Sequence, residues 1–218
     1  KMKINNSLIF IGSTHGFIND FLKQKEIIKK INPEFVLCEE LEDLKLDSKE
    51  KFLEILKKKY FSEMTSFDEV EKLIKFCFNK NIKLIGIDFH NFGFDKNLQK
   101  KIKAQKELTK EEEEKLNKTI VLREKNHLSK ILEYSKKTFR PIIVIIGCWH
   151  LREDSFLRKN LKNYKIIAPC NDKGKILLSP KEGAKIKYCE MTSNNRENNN
   201  SKRVTIQRFK KVKLLEEG

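Results

Sequence analysis

The pattern G-x-x-H occurs twice in this chain, as Gly12-Ser-Thr-His15 and Gly147-Cys-Trp-His150, and the chain has only 4 histidines. Each copy follows a short apolar run, Leu8-Ile-Phe-Ile11 and Ile142-Ile-Val-Ile-Ile146. Apolar runs of this length closed by glycine read as buried strands of an α/β sheet. Both imidazoles then fall just past a strand's carboxyl end, the edge where open α/β sheets bind ligands. Glu39 and Glu40 follow a third such run, Phe35-Val-Leu-Cys38, and Asp88 and His90 follow a fourth, Ile82-Lys-Leu-Ile-Gly-Ile87. In a parallel sheet these residues come from different strands yet share one edge. Two imidazoles and a carboxylate form a ligand set for a divalent transition metal, with positions left for water or substrate. Such a metal lowers the pKa of its water and polarises a carbonyl. A neighbouring carboxylate can then act as general base.

Each residue also has a plainer reading. Glu39 and Glu40 can be helix-start carboxylates favoured by the helix dipole, and with Glu42 and Asp43 they can form a solvated acidic cluster. Arg123 can orient a carboxylate through its planar fork, or it can make a surface ion pair. His127 sits inside a helical stretch and reads as packing or surface. Cys148 has no base placed beside it by the sequence, which argues against a nucleophile, and Trp149 reads as packing.

The elements that must position these residues alternate. A strand over 7–11 is followed by a helix to Ile31, stopped by Asn32-Pro33, and then by the strand Phe35–Cys38. This β-α-β opening argues a parallel pair. Apolar spacing predicts helices over Leu44–Phe61 and Phe67–Asn79, the second capped by Ser66. Asn97 to Lys137 is polar and helical. Thr109 with Glu112 gives a capping-box signal that divides it into a short and a long helix. Ile120, Val121, Leu128, Ile131 and Leu132 are the expected buried stripe of the long one. After the strand ending at Gly147 come a helix over Leu151–Leu161, a strand over Tyr164–Ala168 and a further strand over Lys175–Leu178. The expected fold is α/β: a mainly parallel central sheet with helices on both faces and a long polar helical insertion before the second G-x-x-H strand. Residues 1–190 are expected to form the α/β domain, 191–202 a flexible loop rich in Asn and Ser, and 203–218 a late strand and charged tail.

Composition bounds the rest. The 218 residues suffice for one domain with a normal core, and 36% of them are charged. The net charge of +16 invites a polyanion reading. The lysines are spread along helices rather than gathered in one tract, so nucleic acid is not the favoured partner. A peptide or small-molecule substrate is. No apolar run approaches the ~18 residues of a membrane span. The 5 cysteines show no C-x-x-C spacing and read as reduced thiols in a cytoplasmic protein.

Taken in order, Gly12-Ser-Thr-His15, Pro33-Glu-Phe-Val-Leu-Cys-Glu39, Arg123 in the long helix and Gly147-Cys-Trp-His150 resemble the TraB/PrgY/Tiki superfamily, whose wider clan includes erythromycin-esterase-like and ChaN-like proteins. The order and spacing agree over roughly residues 7–165. The resemblance implies His15, Glu39 and His150 as metal ligands, with Arg123 supporting and Glu39 or Glu40 as the catalytic carboxylate. It implies a metal-dependent hydrolase of peptide or amide bonds using Mn, Co or Zn. The clan's other branches imply the alternatives, a metal-free esterase with a histidine base or a non-catalytic binder of haem. The sequence departs from the pattern at Phe89, where many TraB-like members carry Arg.

Overall fold

The computed structural model describes residues 7–14, 18–58, 62, 67–104, 106–177 and 187–193. The strands are β1 (Leu8–Ser13), β2 (Phe35–Cys38), β3 (Lys45–Leu46), β4 (Lys83–Gly86), β5 (Ile142–Gly147), β6 (Tyr164–Cys170) and β7 (Lys187–Thr192). The helices are α1 (Ile18–Ile31), α2 (Lys49–Leu56), α3 (Phe67–Asn79), α4 (Lys96–Lys103), α5 (Lys110–Ser135) and α6 (Phe156–Asn160). The strands form one sheet in the order β3-β4-β2-β5-β1-β6-β7. The five inner strands are parallel, and β3 and β7 close the two edges antiparallel. The two G-x-x-H strands are direct neighbours, with Gly12 paired to Ile146 and Ser13 to Gly147.

Both sheet faces are covered, which is why the inner strands are apolar throughout rather than alternating. On one face Phe10, Leu37, Val144 and Ile146 pack under Leu128, Ile131 and Tyr134 of α5 and Leu157 of α6. On the other, Ile9, Ile11, Val36 and Ile145 pack against α1, α2 and α3 through Ile28, Phe52, Leu73 and Ile74. The α/β class, the mainly parallel sheet and the helices on both faces are as the sequence predicts. So is the capping box of α5, formed by Thr109 and Glu112.

Several local expectations are corrected. The helix expected over Leu44–Phe61 is cut at its start, because Lys45–Leu46 pairs with β4. Gly86 permits this: its N–H donates to Leu44 O at 2.6 Å, and a Cβ there would lie 2.3 Å from Glu42 O. Ser48 then caps α2, accepting from Lys51 N. The helix expected over Leu151–Leu161 shortens to α6, behind a 3-10 turn over Cys148–Leu151, because Ser155 caps it by accepting from Arg158 N at 3.2 Å. Val121 is 41% exposed rather than buried, since α5 extends past the sheet at that point. In place of the strand expected over Lys175–Leu178, the described residues 175–177 carry a single bridge, Ile176 to Cys170, and Leu178 lies outside the described residues. Met191 and Thr192 belong to β7, not to the loop assigned to them. Ser66 and residues 194–218, including the expected late strand, lie outside the described residues.

The β6–β7 ladder also brings Cys170 and Cys189 into a disulfide, with a Cα separation of 5.9 Å. Spacing alone could not show this pair, because β7 has no strong sequence signal. The bond removes the cysteine argument for a cytoplasmic location. Cys38, Cys77 and Cys148 are free and buried. Among the described residues no helix is long and apolar enough to cross a membrane.

Candidate functional site at the carboxyl edge of the sheet

Three strand ends and one helix deliver the candidate side chains to one place. A 3-10 turn directly after β2 carries Glu39 and Glu40, the segment after β4 carries Asp88, and the turn after β5 carries His150. From α5 come Arg123, Glu124 and His127, at spacings i, i+1 and i+4 that lie on adjoining strips of one helix face. None of these seven residues is more than 8% exposed. Charged groups so deeply buried persist only when paired.

The pairing is continuous. Arg123 reaches Asp88 Oδ2 through Nε at 2.8 Å and Nη2 at 2.6 Å, and the same Nη2 donates to Glu39 Oε1 at 2.5 Å. Phe92 and Phe94 face the guanidinium at 4.7 and 5.6 Å. Glu39 Oε2 accepts from Gly147 N at 2.6 Å, so the second motif's glycine clamps the carboxylate with its backbone. The first motif's glycine serves packing instead: a Cβ on Gly12 would lie 2.8 Å from both Ala168 Cβ and Cys148 Sγ. His150 stands between two carboxylates, with Nε2 3.3 Å from Glu39 Oε1 and Nδ1 3.1 Å from Glu124 Oε1. Glu124 also accepts from Arg152 Nη1 at 2.5 Å and from Phe156 N at 2.7 Å, the open N–H at the start of α6. His127 Nε2 lies 3.0 Å from Asp88 Oδ2, but the approach is too poorly aligned to be a hydrogen bond.

Charge sets the protonation states. Burial opposes ionisation of Glu39, but His150 and Arg123 outweigh it and hold its carboxyl well below the usual carboxylate range. Burial likewise opposes ionisation of Asp88 and Glu124, and their partners hold both below their ordinary values. For His150, Glu39 and Glu124 overcome burial and raise its pKa. His127 goes the other way. Burial lowers its pKa and outweighs the Asp88 carboxylate beside it, which pulls the other way.

Of the residues chosen from sequence, Glu39, Arg123 and His150 are in direct contact here. Glu40 is buried beside them, accepting from Ser13 Oγ at 3.0 Å. His15 lies outside the described residues. The residues before it are held by Asp20, which accepts from Thr14 N at 2.7 Å and Thr14 Oγ1 at 2.9 Å and also bonds Tyr188 of β7. Asp88 is central, whereas His90 points outward with its side chain 59% exposed. Sequence reading missed Glu124 and His127. Their spacing from Arg123 was the available signal, since three polar residues on the face that continues into Leu128 and Ile131 are out of place on a packing surface.

Two places offer metal-ligand donors. Glu42, Asp43 and His90 are the group of three among the described residues whose donor atoms all lie within 4.8 Å, but Asp43 and His90 are exposed. The buried alternative is Glu39 Oε1 with His150 Nε2, 3.3 Å apart. Two ligands on one ion with bonds of ~2.1 Å stand about 3.0–3.4 Å apart, so this pair fits a shared divalent ion. Comparison of the chain with protein-family models, with curated proteins and with solved structures finds no match.

Proposed function

We propose that this chain is a divalent-metal-dependent hydrolase of peptide or amide bonds, with its site at Glu39 and His150. The observation that carries the reading is the seat of His150. A neutral imidazole has one N–H, yet both of its nitrogens face carboxylates. The contacts that His150 joins hold three carboxylates (Glu39, Asp88, Glu124) against two guanidiniums (Arg123, Arg152), with Glu40 buried beside them, so further positive charge is favoured there. A proton on His150 meets that need, and a metal shared by His150 Nε2 and Glu39 Oε1 meets it as well. The ordered motifs shared with the TraB/PrgY/Tiki pattern favour the metal.

Bound there, the ion would polarise a substrate carbonyl and acidify its water. The chain's own groups have separate tasks. Glu124 fixes the His150 tautomer, as outer carboxylates do for metal-bound imidazoles. Asp88 and the two phenyl rings hold the Arg123 fork, which keeps Glu39 ionised and aimed. Glu40, next to Glu39 in the same turn, is the carboxylate assigned to accept the proton of the attacking water. The second reading is a metal-free hydrolase in which His150, oriented by Glu124, takes that proton itself. The His150–Glu124 contact is the observation that favours it.

Metal content and melting temperature, measured with Mn, Co, Zn or EDTA, separate the two. On the first reading a metal co-purifies or raises the melting temperature, and both Glu39→Ala and His150→Ala abolish the response. A wild-type chain indifferent to every metal and to EDTA sinks that reading and leaves the metal-free one, to be pursued with ester substrates.

A further inference from the structure

Among the described residues, the only buried side-chain nitrogens or oxygens without a hydrogen bond are the two ring nitrogens of His127. Its successors on the same face, Leu128 and Ile131, are aliphatic and buried. A buried nitrogen left unpaired destabilises the fold, a cost that leucine would avoid at this position.

The two buried imidazoles are set up alike. Glu124 addresses Nδ1 of His150 and leaves Nε2 for Glu39. Asp88 stands at Nε2 of His127 and leaves Nδ1 without any partner. A carboxylate on one imidazole nitrogen and a metal on the other is the usual arrangement of a ligating histidine. The two rings lie edge-on, with centroids 5.0 Å apart and planes at 86°. Imidazoles sharing one ion through ~2.1 Å bonds have centroids about 4.5–5.3 Å apart.

We infer that His127 Nδ1 is a protein ligand of the divalent ion held by Glu39 and His150, so that α5 supplies one imidazole and the turn after β5 the other. The inference rests on the metal-dependent reading above. It sets Asp88 beside the His127 ring as Glu124 is set beside the His150 ring. With the side chains as they stand, these three donors do not all come within 4.8 Å of one another. Binding therefore includes a turn of the His127 ring, which breaks no aligned hydrogen bond but shifts Nε2 relative to Asp88 Oδ2, 3.0 Å away.

Co(II) titration of the full chain after EDTA treatment, read by visible absorption and melting temperature, tests this on wild type, His127→Leu and His90→Ala. The expected result is binding by wild type and His90→Ala, with affinity at least ~10-fold weaker in a cooperatively folding His127→Leu. Should His127→Leu fail to fold, nitrogen NMR of wild-type histidines decides, since 4 imidazoles are readily assigned. One equivalent of Zn(II) then moves the His127 Nδ1 resonance to a metal-bound position. Unchanged affinity in His127→Leu, or an unmoved Nδ1 resonance in Zn-bound wild type, overturns the inference and leaves the metal-dependent reading standing. A wild type that binds neither metal removes both.

Discussion

The same two segments, residues 39–43 and 88–90, build two acid–histidine groups of opposite character. Glu39 and Asp88 turn inward to Arg123, His127 and His150, where every charge is buried and paired. Three residues on, Glu42 meets His90 at the surface, with His90 Nδ1 3.2 Å from Glu42 Oε2 and 3.9 Å from Asp43 Oδ1. The outer group brings its donors together more closely, but water screens two of its three members. The inner group lies in a low dielectric, where an uncompensated charge is expensive and protonation is decided by neighbours. Residue type alone does not separate the two groups. Burial does.

Removing one partner from each group breaks the comparison most directly. Arg123→Ala leaves Glu39 and Asp88 buried without their guanidinium and is expected to cost about 3–5 kcal/mol. Urea unfolding measures this, and a loss below ~1 kcal/mol would show that the inner group is hydrated and not a buried network.

Acid sharpens the contrast. Glu39, Asp88 and Glu124 are held below their ordinary values, so their stabilisation is present above about pH 4 and is lost as pH falls further. His127, whose pKa is lowered by burial, adds to this: below about pH 6.5 the unfolded chain takes up a proton that the fold refuses. His150 has the opposite sign. Its contribution is complete below about pH 6.5 and fades as pH rises through its raised value. The metal-free chain should therefore lose stability on the acid side, and His127→Leu should flatten the part between about pH 6.5 and 4. Urea midpoints across this range in EDTA are the measurement, and identical profiles for both proteins would contradict the neutral, buried state of His127.

The smallest effect belongs to the outer group. His90→Ala should change stability by less than about 0.5 kcal/mol, because the ring is mostly exposed and its ion pairs are screened. A loss near that of Arg123→Ala would erase the distinction between the two groups.

The strand ends were legible because apolar runs closed by Gly12, Gly147 or the acidic pair Glu39-Glu40 carry their own signal. That signal located Glu39, Asp88 and His150, and the parallel order placed them on one edge. Arg123 was legible only through its place in the motif order. Glu124 and His127 were not read as site residues, because helical spacing shows which residues share a face but not what that face meets at the sheet edge.

The sequence by itself determined the α/β class, the adjacent chemistry at strand ends and the cap of α5, since these depend on local periodicity and on residues close in the chain. Only the tertiary structure decided that Glu39 turns in while Glu42 pairs outward, that β7 closes the sheet with a Cys170–Cys189 bond, and that His127 sits unpaired against Asp88 and His150. Those outcomes depend on burial and on contacts between distant segments, such as the 84 residues separating Glu39 from Arg123. No local pattern encodes the dielectric in which a side chain will lie.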